Sequence, residues 1–218
     1  MLELNFIQKV IVLALPILFA ITVHEVAHGW VASKLGDKTA LMMGRLTLNP
    51  LKHIDLVGTV ILPLMLLFLG GFIFGWAKPV PVNPNNLKKP RRDMALVAIA
   101  GPFANIIMAF IWAGIMKLGT ILIGHGFKFA LPIVLMGQAG IMINLVLMIL
   151  NLIPIPPLDG SRIISALLPA KWAYKYDRIA PYGIFILLLL LVTGILHLIL
   201  FPPIILLQKL IAIIFGLG

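Results

Sequence analysis

Cysteine is absent from the 218-residue chain, and acidic residues are scarce, with 7 Asp and Glu against 17 Lys and Arg. The first absence excludes disulfides and thiolate metal sites, and leaves the redox compartment unreadable. The second gives a formal net charge of +10. Charge of either sign is sparse, at 11% of residues, whereas hydrophobic residues reach 61%. An ordinary soluble domain carries about 25% and about 45–50% respectively. A chain this short cannot fold so much apolar surface into one soluble core. The basic residues sit between apolar runs, where topology signals and anionic headgroup contacts belong. The expected surroundings are therefore a lipid bilayer, and nucleic acid is not an expected partner.

Also missing are any fixed-period repeat and any polar low-complexity stretch long enough to form an extra soluble domain. The length suits one integral membrane domain over residues 1–218. Apolar runs occupy about 6–33, 54–76, 94–116, 129–158 and 179–201, with a short one at 203–218. Runs of about 18 residues or more can cross a hydrocarbon layer of about 30 Å. The expected fold is an all-α polytopic membrane protein with about four to six membrane helices. Runs one, three, four and five read as spanning. The first is too long for a signal-peptide core and lacks a clear small-residue cleavage site, so it reads as a retained membrane helix. The last begins at Pro202-Pro203 and contains Lys209, which points to an interfacial or half-buried segment. The second contains Gly58, Pro63, Gly70, Gly71 and Gly75 and reads as a re-entrant or additional segment. The segment from about 75 to 84, with alternate prolines from Pro79, reads as an extended strand or loop at the membrane surface, because proline removes donors and biases its predecessor away from helix.

The chemistry lies in His24-Glu25-Val26-Ala27-His28. On a helix, positions i and i+4 share a face, so two imidazoles can hold one zinc while the intervening Glu acts on water as general base. Ionisable residues inside a membrane helix are expensive and functional by default. A catalytic zinc site usually has three protein ligands, so another helix must bring in a third. Asp37, Asp93 and Asp177 lie in basic loops and read as solvated charges, and Glu3 precedes the first run. Asp55, beside His53, is a weaker candidate. Asp159 leads. It follows the fourth run at the end of Asn151-Leu152-Ile153-Pro154-Ile155-Pro156-Pro157-Leu158-Asp159-Gly160, where three prolines stop a helix, Asn151 helps satisfy freed carbonyls and Gly160 permits a sharp turn. Broken backbone at membrane depth is tolerated where protein buries it or where it lines a wet cavity, which suits a carboxylate at a metal. His53, His125 and His197 read as loop or interhelical residues, His53 also as a support for the site.

The pentad, the Ala100-Gly101-Pro102 opening of a later helix and the Asn151 to Gly160 segment together resemble the site-2 protease family of intramembrane metalloproteases. Gly44-Arg45-Leu46-Thr47-Leu48-Asn49-Pro50 and the Trp76 to Val82 segment further resemble its compact prokaryotic subgroup. The resemblance implies a zinc metalloendopeptidase with one zinc held by His24, His28 and Asp159, Glu25 as base, and membrane protein substrates. It also implies Asn105 and Asn151 as supporting residues, positions that ordinary interhelical hydrogen bonds would equally explain. The apolar run at 54–76 is a longer insertion than the smallest relatives carry, and within these 218 residues a PDZ or nucleotide-sensing domain is not expected. The rival readings are a non-proteolytic relative that binds membrane segments and a metal transporter.

Charge counting gives a topology. Lys34, Lys38, Arg45 and Lys52 precede the second run, and Lys78, Lys88, Lys89, Arg91 and Arg92 follow it. The positive-inside rule places both sets in the cytoplasm if that run enters and leaves on one side. Residues 117–128 would then lie outside and 162–178 inside, and the metal site would sit near the cytoplasmic face of a cell membrane.

Overall fold

The structure, a computed structural model, describes residues 6–61, 65 and 78–217. Helix α1 (Phe6–Leu35) is followed by the short α2 (Thr39–Met42), and after the second apolar run by α3 (Pro90–Gly124) and α4 (Leu131–Leu152). Then come two short helices, α5 (Asp159–Leu167) and α6 (Ala170–Asp177), followed by α7 (Gly183–Val192) and α8 (Ile195–Phe215). Among the described residues α1, α3, α4 and α8 are long and apolar enough to cross a membrane, and there is no strand. Exposed side chains such as Phe103, Ile107, Ile111 and Leu118 line one side of α3, and Leu198, Leu206 and Ile213 stand out from α8. Water would penalise so large an apolar surface, whereas lipid tails do not.

Helix α3 packs between α1 and α4. Its seam with α4 uses glycines that let the helices approach, Gly137 lying against Met116 and Gly140 against Trp112, as expected where van der Waals packing replaces the hydrophobic effect. Trp112, Leu145 and Met148 fill the core beside it, and Leu196, Leu200, Ile204 and Ile211 close it from α8. Contacts run in opposite order along α1 and α3: Asn105 reaches Ala20 and His24, and Val97 reaches His28. α1 and α3 are therefore antiparallel. α4 reverses again, with Gly140 against Trp112 and Asn144 against Asn105. The end of α1, the start of α3 and the segment after α4 thus meet at one end of the bundle.

The second apolar run contributes a π-helical turn over Leu56–Ile61. The passage through 62–77, with Pro63 and the glycines at 70, 71 and 75, lies outside the described residues apart from residue 65, and so does the re-entrant reading of it. Its flanks are described and they touch: Lys78 N–H donates to His53 O at 3.0 Å. Further on, Lys88 N–H donates to Leu35 O and Asn83 N–H to Asp37. Both basic stretches therefore stand at the same end of the bundle, the end that carries the site. Between Lys78 and Asn83 the chain has no helix, as its alternate prolines require.

The last two apolar runs divide differently from expectation. The break falls at Thr193 and Gly194, where φ is +76°, not at the proline pair. Helix α7 has only 10 residues, about 15 Å of rise, too short to cross. Helix α8 runs 21 residues straight through Pro202 and Pro203 and is the fourth candidate span. Each proline forfeits one backbone bond, but membrane helices tolerate this where neighbours support them, and Leu200 and Ile204 on either side are buried in the core.

A candidate metal centre

His24 and His28 lie one turn apart on the buried side of α1. His24 Nδ1 is 2.6 Å from Asn105 Oδ1, and His28 Nδ1 is 2.7 Å from the carbonyl of Val97. A carbonyl only accepts, so His28 carries its proton on Nδ1. The same follows for His24, because the Asn105 amide is oriented by its other end. Its Nδ2 donates to Asn144 Oδ1 (2.9 Å) and Ala20 O (3.3 Å), and Asn144 Nδ2 donates in turn to Gly140 O (2.8 Å). With Nδ1 of each ring spent on its outer partner, the two Nε2 atoms face each other across 3.0 Å, where neutral rings would present two lone pairs. Two lone pairs at that distance repel unless a cation lies between them.

The third group comes from across the bundle. Helix α4 ends at Leu152 where the prolines begin, and Asp159 opens α5. Asp159 Oδ2 lies 3.2 Å from His24 Nε2 and 3.3 Å from His28 Nε2. It is buried and has no hydrogen-bond partner. The three donor atoms make a near-equilateral triangle with sides of 3.0, 3.2 and 3.3 Å. Zinc bonds of about 2.0–2.2 Å in a tetrahedron place ligand atoms about 3.3–3.5 Å apart. The residues fit zinc: two neutral imidazoles with Nδ1–H spent on second partners, one carboxylate, and an orphaned buried oxygen that a cation would satisfy. Among the described residues His24, His28 and Asp159 are the group able to share an ion.

Glu25 lies outside that triangle. Its carboxylate lines the same cavity of about 220 Å³, together with Val80, Val82 and Asn151. Glu25 Oε2 accepts the Val80 N–H at 2.7 Å. The segment supplying that donor is braced by Arg45, whose Nη2 donates to Lys78 O at 2.9 Å, and by the Lys78 bond to His53. His53 is itself buried, with Nε2 on Thr47 O at 2.9 Å. One oxygen of Glu25 is thus fixed by backbone, leaving the other for the cavity.

The other singled-out residues fall partly where the sequence reading put them and partly elsewhere. Asp37 is not a solvated loop charge but is fully buried, accepting from Thr39 N–H, Thr39 Oγ1, Asn83 N–H and Asn86 Nδ2. Asp93 is buried too and accepts Lys89 N–H at 2.7 Å, closing the first turn of α3. Asp177 is exposed and accepts from Ser165 Oγ. Asp55 accepts Gly58 N–H rather than joining the metal group. Gly160 makes no turn; it lies within α5, where a Cβ would fall 2.6 Å from the Leu152 carbonyl carbon. Asn151 lines the cavity and donates to Leu147 O within its own helix. His125 is exposed, and His197 stacks on Phe201 of its own helix, with no hydrogen bond across helices among the described residues. Asn144, fully buried and the anchor of Asn105, escaped the sequence reading. The signal was there, since an Asn in the middle of an apolar membrane run needs a partner.

The chain matches Peptidase family M50 over residues 12–135 and 119–193. Relatives bearing the name "Putative zinc metalloprotease" include YwhC of Bacillus subtilis (strain 168), 41% identical over 194 residues, covering 87% of this chain and 84% of YwhC. Rip2 of Mycolicibacterium smegmatis is 29% identical over 198 residues, covering 87% of this chain and 70% of Rip2. No solved structure matches the chain. With a family match across most of its length, and a relative 41% identical over 87% of it, the chain belongs to Peptidase family M50.

Proposed function

We propose that this protein is an intramembrane zinc metalloprotease that hydrolyses peptide bonds within or next to membrane segments of other proteins. The observation that carries the reading is the triangle of His24 Nε2, His28 Nε2 and Asp159 Oδ2, with every outer hydrogen bond turned away from it. These three residues would hold one zinc, which supplies Lewis-acid polarisation of a peptide carbonyl and acidifies water. Glu25 takes the proton from the attacking water and delivers it to the leaving amine nitrogen. The bond from Val80 N–H orients its carboxylate for this transfer. Asn105 and Val97 hold the histidine tautomers. A substrate helix hides its carbonyls in hydrogen bonds, so it must unwind locally before it can be cut.

The extended segment beside the cavity offers an edge for the opened strand. Pro79 and Pro81 have no N–H and the Val80 donor is spent on Glu25, so the edge rests on the Val82 N–H and the carbonyls of the segment. The clustering of both basic stretches at the end that carries the site supports a cytoplasmic-facing active site in a multi-pass protein of the cell membrane. A transporter would need polar groups along a whole path, whereas His24, Glu25, His28 and Asp159 share one cavity. A non-proteolytic binder has no use for a base held beside three ligands. Comparative proteomics of membrane fractions from cells carrying wild type or Glu25→Gln tests the reading. Membrane proteins should accumulate uncut in the variant, and identical fragment patterns would refute proteolysis.

A further inference from the structure

A second cavity, of about 390 Å³, lies beside the metal cavity, and Met94, Pro157 and Arg162 line both. Its volume lies in the range of ligand pockets, about 300–1,000 Å³. Its other charged groups are engaged. Arg91 Nη2 donates to Ser165 O (3.2 Å), Ala166 O (3.3 Å) and Leu168 O at the end of α5. Asp177 Oδ2 accepts from Ser165 Oγ at 2.9 Å. Arg162 is different: it is exposed, and among the described residues its guanidinium has no hydrogen-bond or ion-pair partner. It follows Asp159 by three positions on α5, so it stands on the face that carries the carboxylate of the triangle.

We infer that the second cavity is a substrate subsite and that Arg162, on the shared wall, binds a carboxylate of the polypeptide being cleaved. This rests on the proteolytic reading and adds to it a residue that selects what is bound. Hydrolysis breaks the C–N bond, joins the water oxygen to the carbonyl carbon, and sends a proton to the departing nitrogen. It therefore leaves a new carboxylate in the cavity that Arg162 lines. An acidic side chain next to the scissile bond offers the same group before the cut. A guanidinium fork matches either in two-point geometry, and the polar, open position of Arg162 makes the pair a contribution to selectivity, not to folding.

The probe is a Leu/Ala-rich membrane-segment peptide in three forms: ending in a free carboxylate, ending in an amide, and ending in an amide with one Asp in its last turn. Affinities are measured on Glu25→Gln protein in lipid nanodiscs, with zinc and after chelation, so that zinc–carboxylate attraction is separated from that of Arg162. In the chelated protein one of the two acidic forms should bind about tenfold more tightly than the plain amide, the scale of a charge-assisted hydrogen bond. Preference for the free terminus identifies the product carboxylate, and preference for the Asp form identifies an acidic side chain. Adding Arg162→Gln should abolish the preference without lowering zinc content, and Arg162→Lys should keep part of it. Equal binding of all three forms to the chelated protein, or a preference that survives Arg162→Gln, overturns the proposal. Because this is a binding assay, its outcome is independent of whether wild-type protein cleaves a substrate, which tests the proteolytic reading separately.

Discussion

His24 and Asn105 are joined across 2.6 Å between α1 and α3, and the amide of Asn105 is held in turn by Asn144. The three residues form a relay from the backbone of α4 to the inner edge of the metal triangle. Outer partners of metal-bound histidines typically contribute about 10–100-fold in affinity. Asn105→Ala should therefore weaken zinc binding by about that factor, and Asn144→Ala by less, because Asn105 keeps its bond to Ala20 O. Competition titration with a zinc chelator checks the order.

Gly101 is a second determinant of the triangle. A Cβ there would fall 2.6 Å from His24 Cε1 and closer still to His28 Nε2. Neither ring can retreat without losing its Nδ1 bond. Gly101→Ala should lose most bound zinc, whereas Gly114→Ala on the same helix, where a Cβ meets Phe215 Cε1 at an ordinary 3.7 Å, should keep it. Metal analysis of the two purified variants decides.

The site's chemistry was legible in the sequence where a local rule governs it. His24 and His28 could be paired by the i, i+4 spacing, and Asp159 became the leading third candidate only when the prolines that end α4 were taken together with the pentad, and the structure brings the three together. What could not be read depends on partners far along the chain. Asp37 looks like a loop charge among lysines; Thr39 beside it supplies two donors, but those of Asn83 and Asn86 are brought to it only by the fold. The Ala100-Gly101-Pro102 motif could be noticed, but not that its glycine is there to make room for imidazoles. Pro202-Pro203 looked like a stop because local propensity says so; packing of Leu200 and Ile204 against the core overrides it.

Asp37 predicts a pH dependence of stability. Burial pushes its carboxyl up, but bonds from Thr39, Asn86 and Asn83 outweigh that and hold it below its usual range. Its contribution is therefore complete above the unfolded value of about 4 and is lost as pH falls through the lower folded value. Asp37→Ala leaves buried donors unpaired and should cost about 1–3 kcal/mol at neutral pH. Thermal unfolding in detergent should show the gap between wild type and variant narrowing below about pH 4.

Topology has its own test, made simple by a chain without native cysteine. The bond between Lys78 and His53 puts the two flanks of the second run at one end of the bundle. Lys38→Cys and Lys88→Cys should label from the same, cytoplasmic side, and Gly124→Cys from the opposite side. Labelling of positions 38 and 88 from opposite faces would contradict the arrangement.

The proposed chemistry divides the work, three residues holding the metal and a fourth moving the proton. Zinc content and cleavage of a membrane-segment substrate should be measured together in proteoliposomes for wild type, Glu25→Gln, Glu25→Asp and the His24→Ala/His28→Ala double variant. Wild type should carry about one zinc per chain and cleave, and chelation should stop it. Glu25→Gln should keep its zinc and lose turnover, and Glu25→Asp should fall about a hundredfold through misplacement by about 1 Å. The double variant should lose zinc and activity together. Full zinc retention by the double variant, or near-normal cleavage by Glu25→Gln, would contradict the account.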